Sequence, residues 1–157
     1  MKTAALKIAQ GAATLLAIAA GPVWADTAPA ADPAAAFMAA NAKEKGVTTL
    51  PSGVEYKVSK SGPAEGVSPA PDATVTVNYE LKLLDGTIID SSYQRGTPST
   101  FPLTRLIPAW QEAIPMMKPG DEWMLYVPPS MGYGEKGKGP IPPNSVLVFR
   151  IGLIGAE

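Results

Sequence analysis

The stretch Thr74-Val75-Thr76-Val77-Asn78-Tyr79-Glu80-Leu81-Lys82-Leu83-Leu84-Asp85-Gly86-Thr87-Ile88-Ile89-Asp90 decides the fold. Val75, Val77, Tyr79, Leu81 and Leu83 alternate without a break against Thr74, Thr76, Asn78, Glu80 and Lys82. Successive side chains of a strand point to opposite faces, so this is a strand with one apolar and one polar face, as in an antiparallel sheet covered on one side. Asp85-Gly86 predicts a hairpin turn with positive φ at both central residues, after which Thr87 to Asp90 returns antiparallel.

Outward from that hairpin the same period recurs. Gly53 to Val58 alternates over a few residues, Trp123, Leu125 and Val127 alternate with Glu122, Met124 and Tyr126, and Leu147, Phe149, Ile151 and Leu153 share a face at the end of the chain. Ser91 to Thr100 reads as a polar, Pro-containing loop, and Pro128 to Asn144 as a Pro/Gly-rich one. Ile107 to Ile114 is the one good helix signal in the body: Pro108 suits a first turn, Trp110 and Ile114 share a face, and Pro115 ends the run. With no repeated β-helix-β unit, the expected architecture is α+β, an antiparallel β-sheet of about five strands wrapped around one short α-helix, with Trp110 as the plug between them.

The N-terminal residues read differently. Lys2 and Lys7 precede an apolar stretch from Ile8 to Ala20, Gly21-Pro22 breaks it, and Val23-Trp24-Ala25 follows, the three-part pattern of a secretory signal peptide cleaved after Ala25. The stretch falls short of the ~20 apolar residues that span a bilayer, so no stable membrane insertion is expected after cleavage. Asp26 to about Ala36 is an Ala/Pro-rich tether, and Ala34 to Lys45 predicts a short helix stopped at Gly46; neither is expected to add much core. The expected plan is a signal peptide over 1–25, a flexible tether and short helix over 26–50, and a folded domain over 51–157. Loss of Lys2 and Lys7 leaves 11 basic against 14 acidic residues, a net charge of −3, on a protein destined for the periplasm.

Composition closes many function classes. The 157 residues, 46% of them hydrophobic, suffice for one core. A net charge of −1 with scattered lysines offers no basic field for nucleic acid. With no cysteine and no histidine, the chain has no thiolate nucleophile, no disulfide and neither of the commonest transition-metal ligands. Gly132-Tyr133-Gly134-Glu135-Lys136-Gly137 has dinucleotide-fingerprint spacing, but Pro140, Pro142 and Pro143 forbid the helix that must follow it. Asp121-Glu122 is no catalytic pair, because strand neighbours face opposite ways; it reads as solvated turn charge. No metal or organic cofactor is expected.

What remains is aromatic and apolar, with few polar groups: Tyr79, Asp90, Ile107, Trp110, Tyr133 and Phe149. Singly, such residues are ordinary core. Their order and spacing say more, in Val77-Asn78-Tyr79, Asp85-Gly86-Thr87-Ile88-Ile89-Asp90-Ser91-Ser92, Leu106-Ile107-Pro108-Ala109-Trp110, Met131-Gly132-Tyr133-Gly134 and Ile141-Pro142-Pro143-Asn144-Ser145-Val146-Leu147-Val148-Phe149. In these five blocks Thr74 to Ile154 resembles the FKBP family, the tacrolimus- and rapamycin-binding peptidyl-prolyl cis/trans isomerases. The lead-in from Asn41 to Tyr56 is similar to that of the macrophage-infectivity-potentiator branch, whose members dimerise through a longer N-terminal helical segment; a monomer or weak dimer is expected here.

The resemblance implies a proline pocket floored by Trp110 and walled by Tyr79, Ile89, Leu106, Ile107, Tyr133, Ile141 and Phe149, with Asp90 as its buried polar group. It also implies that the Ile107 N–H and the Tyr133 hydroxyl donate to ligand carbonyls, and that the substrates are proline-containing unfolded or exported proteins. Ile89 stands where the family usually has Phe, Ala109 where Gly is common, and Ser99 where many members carry another aromatic, while Lys136 and Lys138 lie where some have histidine. Beside an isomerase, a binding-only chaperone of the same fold stays open.

Overall fold

The computed structural model describes residues 32–157, which lie in one compact unit. The expected signal peptide and the first part of the tether lie outside the described residues. Among the described residues no helix is long and apolar enough to cross a membrane.

Seven strands, all paired antiparallel, make one sheet: β1 (Val47–Thr49), β2 (Glu55–Lys60), β3 (Thr74–Lys82), β4 (Ile88–Ser91), β5 (Ser99–Pro102), β6 (Glu122–Val127) and β7 (Leu147–Ala156). The order is β1-β2-β6-β7-β3-β4, and β5 also pairs with β3. The α+β reading holds, with two strands more than expected. β1 spans only three residues, and β5 begins inside the segment read as a loop and runs two residues past its end at Thr100. β1 also carries the sheet back before residue 51.

Alternation places the core as the sequence requires. Val75, Val77, Tyr79 and Leu81 of β3, Trp123, Leu125 and Val127 of β6, and Leu147, Phe149, Ile151 and Leu153 of β7 are buried on one face. Over that face lies α3 (Pro108–Ala113), which buries Ala109, Trp110 and Ala113. Six residues are too few for a helix to persist alone in water, so packing of this face holds it. Pro115 falls inside a following 3-10 turn, Ile114–Met116, in place of a clean stop.

Three local expectations are corrected. In the β3–β4 turn only Gly86 has positive φ (87°), while Gly86 N–H bonds Leu83 O at 3.0 Å and Leu83 N–H bonds Thr87 O at 3.0 Å. The loop therefore has three residues, a right-handed turn closed by a left-handed glycine, and Asp85 instead accepts the Thr87 N–H at 2.9 Å. The N-terminal helix, α1 (Pro33–Asn41), starts earlier and ends sooner than read, capped by the Asp32 carboxylate and led by Pro33. It does contribute core: Ala34 and Met38 pack with Val146, flanked by Phe37 and Tyr126.

The third correction is Asp121, which is buried rather than solvated. Its carboxylate accepts the N–H groups of Gly62 and Lys118, the latter at 3.0 Å, and so clamps the β2–β3 loop to the α3–β6 turn. The loops approach so closely that a Cβ on Gly62 would sit 2.3 Å from the Pro119 carbonyl oxygen. Charge-assisted hydrogen bonds contribute about 1.5–3 kcal/mol each, and a buried N–H left without an acceptor costs a comparable amount. Asp121→Ala is therefore expected to lower stability by about 2–4 kcal/mol, seen as a fall in the urea midpoint at constant slope; a midpoint unchanged within error contradicts the clamp.

Candidate active site

A cleft of about 500 Å³ opens between the inner face of the sheet and α3, lined by Tyr79, Leu81, Asp90, Phe101, Pro102, Arg105, Leu106, Ile107, Trp110, Tyr133, Lys138 and Phe149. Four structural sources supply these residues. β3 and β7 bring Tyr79, Leu81 and Phe149, α3 and its approach bring Arg105, Leu106, Ile107 and Trp110, β4 and β5 bring Asp90, Phe101 and Pro102, and the β6–β7 loop brings Tyr133 and Lys138.

Trp110 is the hub. Its ring meets Tyr79 at 5.4 Å, Phe149 at 5.2 Å and Phe101 at 6.2 Å, all close to perpendicular, and Phe101 meets Tyr79 edge-on at 5.9 Å. Edge-to-face pairs add about 0.5–1.5 kcal/mol each beyond the area they bury, so the floor is a rigid aromatic set. The Trp110 Nε1 atom is buried without a hydrogen-bond partner among the described residues.

At one end the apolar lining gives way to a polar triad. The Tyr79 hydroxyl and the Arg95 guanidinium both donate to the Asp90 carboxylate, and Arg95 also donates to Ser99 Oγ at 3.1 Å. Partial burial pushes the Asp90 carboxyl upward, but the bonds from Tyr79 and Arg95 outweigh it and hold the group below the ordinary aspartate value. Burial first, and then the bond to Asp90, raise the Tyr79 phenol. Asp90 therefore stays ionised and Tyr79 stays protonated at neutral pH. The Asp90 side chain is 41% exposed, which corrects the expectation of a buried polar group: it stands at the rim.

Backbone geometry places the triad. β4 pairs with β3 from Glu80↔Ser91 outward, and β5 takes up the same edge of β3 from Val77↔Ser99. In the gap between them the Tyr79 N–H bonds Ser92 Oγ at 2.8 Å, and Ser92 Oγ bonds Asn78 Oδ1 at 3.0 Å, so no edge donor is stranded. α2 (Ser92–Arg95) fills the turn, capped by Ser91 and ended by Gly96 at φ 70°, and it delivers Arg95 to Asp90. At the opposite wall Ile107 is the residue before α3; its carbonyl accepts the N–H groups of Trp110 and Gln111, while its own N–H has no backbone acceptor among the described residues.

Most of the expected residues converge: Tyr79, Asp90, Leu106, Ile107, Trp110, Tyr133 and Phe149 line the cleft. Ile89 and Ile141 do not. The β3–β4 register jumps from Leu81↔Asp90 to Lys82↔Ile88, which leaves Ile89 as the extra residue of a bulge, packed at the edge of the core. Lys138 and Ile141 exchange backbone hydrogen bonds at 3.1 and 2.9 Å across a tight turn, and Ile141 is buried in the core. Gly137 permits that turn, with φ 64° and a Cβ position 2.2 Å from the Ile141 carbonyl oxygen. The fingerprint-spaced glycines thus serve a 3-10 turn, Gly134–Lys136, and this hairpin; no α-helix follows them.

Sequence reasoning missed Phe101, Arg95 and the lining role of Arg105. Phe101 supplies the aromatic wall that Ser99 was read as lacking. Its signal was the alternation of Phe101 with Leu103, too short to read alone.

Two family models match. That described as "FKBP-type peptidyl-prolyl cis-trans isomerase" covers residues 65–154, and that described as "Domain amino terminal to FKBP-type peptidyl-prolyl isomerase" covers residues 20–58. The chain is 49% identical over 128 residues to the "Peptidyl-prolyl cis-trans isomerase Mip" of Coxiella burnetii, covering 81% of this chain and 55% of that protein. It is 42% identical over 123 residues to the "Outer membrane protein MIP" of Legionella longbeachae, covering 78% and 52%. The chain spans about half the length of the curated relatives it matches. Among solved structures, the crystal structure of FkpA from Escherichia coli superposes with a TM-score of 0.75 at 40% identity, covering 79% of this chain and 57% of that one. By sequence, fold and the convergence of its cleft residues, this chain belongs to the FKBP-type peptidyl-prolyl cis-trans isomerase family.

Proposed function

We propose that the domain accelerates rotation about Xaa-Pro bonds in unfolded or exported proteins, after export to the periplasm on the N-terminal signal and cleavage behind Ala25. The observation that carries the reading is the cleft itself, floored by the rings of Trp110, Phe149, Phe101 and Tyr79, with the Tyr79–Asp90–Arg95 triad at its rim. The relative titled an outer membrane protein supports a location in the envelope.

Rotation about a prolyl amide meets a barrier of ~18–20 kcal/mol because the planar form is resonance-stabilised, and no bond breaks on the way. At the twisted midpoint resonance is lost and the C–N dipole shrinks. An apolar socket desolvates the planar amide at greater cost than the twisted one, so it binds the midpoint relatively better, which is catalysis by differential binding. Trp110, Phe149, Phe101 and Tyr79 seat the prolyl ring. The Ile107 N–H and the Tyr133 hydroxyl orient the flanking carbonyls, and Asp90, locked by Arg95 and Tyr79, contributes a fixed dipole rather than a proton.

The deciding experiment is the cis-to-trans rate of a short Leu-Pro or Phe-Pro peptide with the chain present, with and without rapamycin or tacrolimus. Uncatalysed exchange takes tens of seconds, so acceleration stands out. Catalysis abolished by rapamycin supports the enzyme and the pocket together. No acceleration from a folded sample, with aggregation of a client still suppressed, replaces the reading with a binding-only chaperone.

Asp90→Leu and Tyr133→Phe are each expected to lower kcat/KM about tenfold, a loss of ~1.4 kcal/mol at the transition state, with the far-UV CD spectrum unchanged. Full turnover in both variants removes these assignments.

The pH profile tests the absence of proton transfer. The chain has no histidine or cysteine, and with Asp90 held low and Tyr79 high neither of these two groups changes charge between about pH 5.5 and 8.5. A depressed carboxylate stabilises the fold fully above its unfolded value of about 4, and that contribution disappears only as pH falls through the lower folded value. kcat/KM is therefore expected to vary less than about twofold over that range. A bell-shaped profile would mean that an acid or base takes part.

A further inference from the structure

The charges at the cleft mouth are unequal. Asp90 is the one carboxylate in the lining, and Arg95 and Tyr79 both bind it. Two further cations line the same cleft from different loops. Arg105 closes the 3-10 turn Leu103–Arg105 just before Leu106 and Ile107 and is exposed. Lys138 is also exposed, in the β6–β7 loop, with its ammonium 5.4 Å from the centre of the Tyr133 ring. Among the described residues the ion pairs are Lys82–Glu80, Arg95–Asp90 and Arg150–Glu122, so neither Arg105 nor Lys138 is in one. The chain as a whole is acidic, so this positive mouth is a local feature and not the edge of a general field.

We propose that the cleft selects prolyl segments carrying an acidic side chain next to the proline, with Arg105 and Lys138 as the residues that recognise it. The inference rests on the isomerase reading and names the substrate class of that site. Arg105 offers a planar fork matched to a carboxylate, and Lys138 offers a point charge on a flexible stem held near Tyr133. Both sit at the mouth, outside the aromatic floor, so they act on the residues flanking the proline and leave the ring's seat unchanged. Because the cations are solvated, the attraction is moderate and screened by salt.

The test compares kcat/KM of the full chain on four short peptides: Glu, Gln or Lys before the proline, and Glu after it with Gln before. Each rate is referred to its own uncatalysed exchange. At least one Glu peptide is expected to exceed the Gln peptide about three- to tenfold, through KM rather than kcat, with the Lys peptide below both. In about 0.5 M salt the ratio is expected to fall towards one. The double substitution R105Q/K138Q is expected to bring the Glu-to-Gln ratio to about one, and R105K/K138R to restore most of it. Equal values for Glu, Gln and Lys peptides overturn the proposal, as does a preference that survives R105Q/K138Q. If no peptide is accelerated, the isomerase reading fails on its own account. Titration of the same peptides by tryptophan fluorescence then decides the charge preference, and equal affinities overturn it.

Discussion

The indole of Trp110 stands at the centre of three edge-to-face contacts, with Tyr79 from β3, Phe149 from β7 and Phe101 from β5. These contacts join the sheet to its one crossing helix. They also explain how six residues of α3 persist, since the helix is too short to be stable by its own hydrogen bonds. The floor of the cleft and the plug of the core are thus the same side chain. Its position is over-determined by partners from three strands, and precise seating of a small ring needs that rigidity.

The polar end of the cleft is built on a different principle. β3 lends one edge to two strands in succession, and the break between them is bridged by the Ser92 hydroxyl. The Tyr79 backbone is fixed there, while its hydroxyl is fixed 11 residues later in the chain, at Asp90. Arg95 then ties Asp90 to β5 through Ser99. Apolar floor and polar rim meet in Tyr79, whose ring belongs to the first and whose oxygen belongs to the second.

Much of the fold was legible because the alternation in β3, β6 and β7 runs over six to ten residues, long enough for period two to be unmistakable. β1 and β5 escaped because three or four residues carry no period, and the pairing that makes them strands is supplied by neighbours remote in sequence. α1 was read too long because Lys43 and Glu44 favour helix, whereas the chain must turn to enter β1. At the site, most residues named from the family blocks converged, from strands (Tyr79, Asp90, Phe149), from the helix (Trp110) and from the segments beside it and in the β6–β7 loop (Leu106, Ile107, Tyr133). Ile89 was displaced by a bulge and Ile141 by a glycine turn, both register effects that one chain does not display. Asp121 was misread because its neighbours are ordinary turn residues, and its burial depends on Gly62, 59 positions away.

Both β4 and β5 hang from one edge of β3, and the residues between them reach back over the sheet: the Tyr93 hydroxyl donates to Glu122 of β6 at 3.4 Å, and the Arg150 guanidinium of β7 lies 4.5 Å from the Tyr93 ring centre. Ser92 in that segment is fully buried, and its hydroxyl holds the Tyr79 N–H at 2.8 Å. The excursion is thus stapled to the sheet through Ser92, Tyr93 and Arg95, and the freedom left to drift without disturbing the rim belongs to outward positions such as Gln94 and Thr97.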